Sequence, residues 1–138
     1  MGDTALALRY CDRTIAIEAK SVFSLFSGVL RAYILGHIDE ARALTRERDT
    51  RPIVDGEQWF NAAEQEALLK DVARCERSLQ NAIEGGFFNY PLMLTDPSLD
   101  PVRDDPAIRK LIGEAKAKHE AFIKKFKLSV HSPESPQL

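Results

Sequence analysis

The side chains of this 138-residue chain best suited to metal binding or nucleophilic attack are His37, His119, His131, Cys11 and Cys75. They are scattered, whereas a structural zinc site needs four donors at short, fixed spacings. Neither HExxH, nor GxSxG, nor a glycine-rich phosphate loop occurs. The aspartates at 96, 100, 104 and 105 invite a calcium reading, but the glycine and closing glutamate of an EF-hand loop are missing. Three of them precede proline, at 96–97, 100–101 and 105–106. Aspartate caps a helix and proline suits its first position, so helix starts explain them more simply. Cys11 and Cys75 read as packed thiols rather than nucleophiles. The expectation is a non-catalytic protein without metal or other cofactor. The rival is a small helical enzyme with a site in loop 87–105.

The residues 106–127 carry Arg109, Lys110, Lys116, Lys118, Lys124, Lys125 and Lys127 against Glu114 and Glu120, a net +5. Such a face could meet an acidic partner or nucleic acid. A solvated face opposite an apolar stripe is the simpler reading. The chain as a whole has 19 basic and 21 acidic residues, a net −2, which argues against wholesale binding of nucleic acid or an anionic membrane. The longest mainly apolar stretch, 21–35, is interrupted by Arg31 and too short to span a bilayer. The N-terminus lacks the basic start of a secretory signal, so a cytoplasmic location is expected.

At 44% hydrophobic and 29% charged, the chain can bury a core. No run alternates in the manner of a strand, and proline is absent before Pro52. The pattern predicts helices over about 3–18, 21–35, 38–48, 56–69, 71–84 and 106–127. Ser21 and Asp55 are their cap candidates, Asp55 with Gln58 forming a capping box. Gly85-Gly86 ends the fifth helix. In the last helix, Ile108, Leu111, Ile112, Ala115, Phe122, Ile123 and Phe126 form one stripe. The polar, Pro/Ser-rich ending, 128–138, is expected to be a disordered tail.

Sliding the chain by 34 residues aligns Gly2, Gly36 and Lys70, then Asp3, His37 and Asp71, then Ala7, Ala41 and Cys75. Leu25 meets Trp59, Phe26 meets Phe60, Val29 meets Ala63, and Leu35 meets Leu69. Two helices per period cannot bury their apolar faces alone and must stack. In these residues, and above all in Leu35-Gly36-His37-Ile38-Asp39-Glu40-Ala41 and Trp59 through Ala82, the chain resembles the tetratricopeptide repeat family. Trp59 matches the family's aromatic slot, and Leu79 and Ala82 its later bulky and small slots. Lys70 in place of the turn glycine, and Thr45 and Arg48 in place of bulky and small residues, depart from the pattern. The segment 85–106 is similar to the closing segment of many bacterial proteins of this type.

The resemblance implies an all-α solenoid of helical hairpins: a half repeat over 2–20, repeats over about 21–54 and 55–86, loop 87–105, and a capping helix over 106–127. It further implies a protein–protein interaction module, the regulatory or scaffold region of a larger bacterial signalling protein, of which this chain is the C-terminal piece. Its first helices would line a groove for a partner peptide or helix, with Phe23, Phe26, Leu30 and Tyr33 from the second helix and Phe60, Glu64 and Ala67 from the fourth. The lysine–asparagine clamp that some members use for C-terminal carboxylates is not matched, because Phe26, Leu30 and Phe60 hold its slots. Helix one lacks a preceding partner, so a homodimer through the N-terminal helix is a further expectation.

Overall fold

The structure, a computed structural model, describes residues 3–19 and 21–126. The expected tail 128–138, Lys127 and the aligned Gly2 lie outside the described residues. Among the described residues seven α-helices follow one another: α1 Thr4–Ile17, α2 Val22–Ile34, α3 Ile38–Arg48, α4 Gly56–Leu68, α5 Val72–Glu84, α6 Tyr90–Thr95 and α7 Pro106–Phe126. A 3-10 turn, Pro97–Leu99, separates the last two, and no strand occurs among the described residues.

Helix caps set the spacing of these elements. Cap positions fall at Asp3, His37 and Asp71 for α1, α3 and α5, and at Ser21, Asp55 and Asn89 for α2, α4 and α6. Each series steps by 34 residues, and Asp105 continues the first, its side chain accepting from Ala107 N at 2.9 Å. A cap oxygen that takes an otherwise orphaned N–H fixes where a helix begins, so the period is written in capping side chains as much as in apolar ones. His37 alone in the series makes no side-chain cap bond. Between hairpin arms the chain turns through Gly36 (φ 77°) and Lys70 (φ 56°). The same closure follows both: His37 N donates to Ala32 O and Asp71 N to Glu66 O.

The segment 87–105 is not a loop. Asn89 caps α6, Asp96 caps the 3-10 turn, and both fall within a third, shortened period. Met93, Leu99 and Val102 from this segment are buried in the main core beside Phe60, Ala67, Leu79 and Ala82. Burial of these apolar residues outweighs the pull of three prolines towards irregular chain.

Packing runs between near neighbours: α1 with α2, α2 with α3, α4 with α5, and α7 with α5 and α6. The 3-10 turn packs on α4. Only the first half of the expected stripe is covered. Ile108, Leu111, Ile112 and Ala115 are buried, whereas Phe122 is 43% exposed and Phe126 53%. Trp59 is partly buried against the main core, and the departures Thr45 and Arg48 are buried outright. Along α1, Leu6, Tyr10 and Ile17 are exposed and Cys11 is buried.

Candidate functional site

A groove of about 490 Å³ runs between α2 and α4. Phe23, Phe26, Ser27 and Leu30 form one wall, at the spacing that puts them on one face of α2. Gln58, Asn61, Gln65 and Leu68 do the same on α4, with Glu64 beside them. Thr14 of α1 and Ser98 of the 3-10 turn complete the lining.

The expected site residues divide. Phe23, Phe26, Leu30 and Glu64 line this groove together. Phe60 does not: it is 2% exposed and stacks on Phe87 with ring centroids 4.9 Å apart, so no partner can reach it. Tyr33 turns away from the groove and packs on a small cluster of Val29, Ala32, Ala41 and Leu69. Ala67 is fully buried in the main core.

The groove wall is fastened from behind. Gln65 Nε2 donates to Phe26 O at 2.8 Å, and its Oε1 accepts from Arg48 Nη1 at 3.1 Å. The Arg48 guanidinium lies 5.0 Å from the centre of the Phe26 ring, within cation–π range. Phe26 is thus held in place before any ligand arrives, whereas Phe23 stands 57% exposed at the start of α2.

One polar feature gives the groove its chemistry. Burial pushes the Glu64 carboxyl up to about 8, helped by its hydrogen bond to Asp96 and that residue's charge. Burial also opposes ionisation of Asp96, but hydrogen bonds from Glu64 and from Ser98, with Arg103 nearby, outweigh it and hold Asp96 below the ordinary carboxylate range. At neutral pH the pair therefore shares one proton, which resides on Glu64. Ser98 N donates to Asp96 Oδ1 at 2.7 Å. Sequence spacing gave no sign of this pair; it forms because the 3-10 turn packs on α4.

The other candidates are dispersed. His37 pairs with Glu40 at 3.2 Å on the surface, and His119 faces Tyr90 with centroids 6.4 Å apart; His131 lies outside the described residues. Among the described residues no three His, Cys, Asp or Glu side chains are placed to hold a metal ion. Both cysteines are buried and unpaired, and desolvation by burial pushes the Cys75 thiol up to about 12. A thiol so raised is no nucleophile near neutral pH. On α7, Lys110 lies 3.8 Å from Glu114 and Lys116 3.9 Å from Glu120, pairs typical of a solvated helix face. No helix among the described residues is long and apolar enough to cross a membrane. Comparison with protein-family models, with curated proteins and with solved structures finds no match to this chain.

Proposed function

We propose that this chain is a non-catalytic interaction module of the tetratricopeptide type, which binds a segment of a partner protein in the groove between α2 and α4. The observation that carries this reading is the groove itself: an open, aromatic-walled channel, braced from behind by Gln65 and Arg48, between the first helices of two successive periods. Apolar anchors presented at helical or extended spacing suit such a surface. The 34-residue step of the caps supports the repeat assignment, with α6 and α7 as a shortened third unit. The module would serve as the regulatory or scaffold region of a larger signalling protein, as the resemblance implies.

The Glu64–Asp96 pair gives an acid–base enzyme its one favourable observation, since Asp96 comes from segment 87–105. Among the described residues the groove lining offers it no histidine, cysteine or lysine as a nucleophile or second base. Affinity capture with the wild-type chain and with a Phe23→Ser, Leu30→Ser double variant tests the interaction reading. Partners that depend on the groove are lost with the double variant. A partner set unchanged between the two rejects the groove as the contact surface.

A further inference from the structure

The charge in the groove is one-sided. Among the described residues its lining holds no lysine or arginine, and its ionisable side chain is Glu64, hydrogen-bonded to Asp96. The walls from α1 and α2 bring only Thr14, Phe23, Phe26, Ser27 and Leu30, none of which titrates in the ordinary range. Two cations near the groove are already engaged: Arg48 behind the wall with Glu66, Asp49 and Gln65, and Arg103 beside Asp96, which donates to the carbonyls of Met93 and Asp96 and to Asp100 Oδ1. Arg103 stabilises Asp96, and no cation among the described residues pairs with Glu64. An aromatic wall facing the Glu64 carboxyl, which is itself hydrogen-bonded to Asp96, matches a long basic side chain, whose methylene stem lies on apolar surface while its head reaches the acid.

From this complementarity we infer that the groove takes a partner-protein segment carrying an arginine or lysine among bulky apolar side chains. The cation pairs with Glu64 and Asp96 while the apolar side chains lie on Phe23, Phe26 and Leu30. This rests on the groove being the interaction surface. The incoming cation replaces the proton held on Glu64, and that proton leaves to solvent. Affinity therefore rises with pH, by up to about tenfold per unit, until the carboxyl is ionised in the free protein, and levels above about 8.

A random-peptide display library panned on the whole chain, with the Phe23→Ser protein as counter-target, tests this. The most enriched peptide is then synthesised with its basic residue as arginine or as citrulline, and its affinity is followed by fluorescence anisotropy at about pH 6 and about pH 8. The inference expects enriched peptides to hold a basic residue among apolar ones, and the arginine form to bind about tenfold or more tighter than citrulline. It expects tighter binding at the higher pH, with Glu64→Gln erasing the pH dependence and reducing the preference for arginine. Enriched peptides without a basic residue, or equal binding of the two forms, overturn the inference while the groove reading stands. If no peptide is enriched over the Phe23→Ser counter-target, both fall.

Discussion

Arg48 Nη2 stands 2.5 Å from Glu66 Oε1, and both side chains are fully buried. The pair joins the end of α3 to α4, so it ties one hairpin to the next. Arg48 also reaches Asp49 Oδ1 at 3.1 Å, and Asp49 receives Arg74 at 2.7 Å and Arg77 besides. Desolvation by burial pushes the Glu66 carboxyl up, and the Arg48 charge opposes that.

Removing Arg48 leaves the buried Glu66 with only the more distant Arg74, 3.9 Å away, as counterion. Arg48→Ala is expected to destabilise the chain by about 3–5 kcal/mol, and the double change Arg48→Met, Glu66→Leu to recover most of that loss. Urea unfolding of the single and double variants measures both. A double variant no more stable than Arg48→Ala alone would show that the pair is not what links the hairpins.

Glu64 titrates near 8 in the folded chain against an ordinary value of 4.5. Between these values the folded state holds a proton that the unfolded chain has released, so this group makes stability fall as pH rises from about 4.5 to about 8. Asp96, held low, acts in the opposite sense and only at more acidic pH. Glu64→Gln keeps a donor for Asp96 and removes the titration. Its Tm should lose this decline and exceed the wild-type value near pH 8; parallel Tm profiles would contradict the assignment.

Two glycines should respond oppositely to alanine. A Cβ on Gly56 would lie 2.7 Å from Ala82 O and 2.8 Å from Phe87 Cβ, where α4 meets the end of α5. Gly56→Ala should cost about 1–3 kcal/mol or more, because backbone has to move. Gly113, within α7, has nothing within 4 Å of such an atom. Gly113→Ala should stabilise by about 0.5–1 kcal/mol, as expected in a helix interior. Thermal denaturation of both variants reads the two signs.

The halves of α7 should differ in the same assay. Ile108 is fully buried and Ile108→Ala should cost about 2–5 kcal/mol. Phe126 contacts Phe122 at 4.7 Å between centroids but stands mostly in water, so Phe126→Ser should stay within about 0.5 kcal/mol. A large loss from Phe126→Ser would mean that the far end of the helix has a covering not seen among the described residues.

The helix starts were legible because the signals are local. Asp55 accepts from Gln58 N at 2.7 Å as the capping-box spacing suggested, although Gln58 Oε1 reaches Val54 N, at 3.5 Å, rather than the cap residue. The all-helical character and the 34-residue step follow from such signals. What could not be read depended on residues distant in sequence. Phe60 and Phe26 occupy the same position in successive periods, yet Phe60 is enclosed by Phe87 and Phe26 opens to the groove. Segment 87–105 looked irregular because its prolines suppress helical pattern, while its burial comes from Met93, Leu99 and Val102 reaching a core shared with α4, α5 and α7. The Glu64–Asp96 contact is of the same kind, since no spacing rule links a helix face to a turn packed across it.

Because helices α1 to α5 pack chiefly on a neighbour in the chain, with α7 on α5 the main exception, most contacts join residues of small sequence separation. Helical arrays dominated by local contacts form a class that folds in microseconds to milliseconds. Ordering can start in the α4–α5 hairpin, the best packed, and spread both ways without waiting for distant strands to meet. The Arg48–Glu66 link needs two hairpins already formed, so its energy enters late on that route. A mutation there would speed unfolding far more than it slows folding. The joint between the hairpins is then a kinetic latch, setting how long the folded array persists rather than how quickly it is reached.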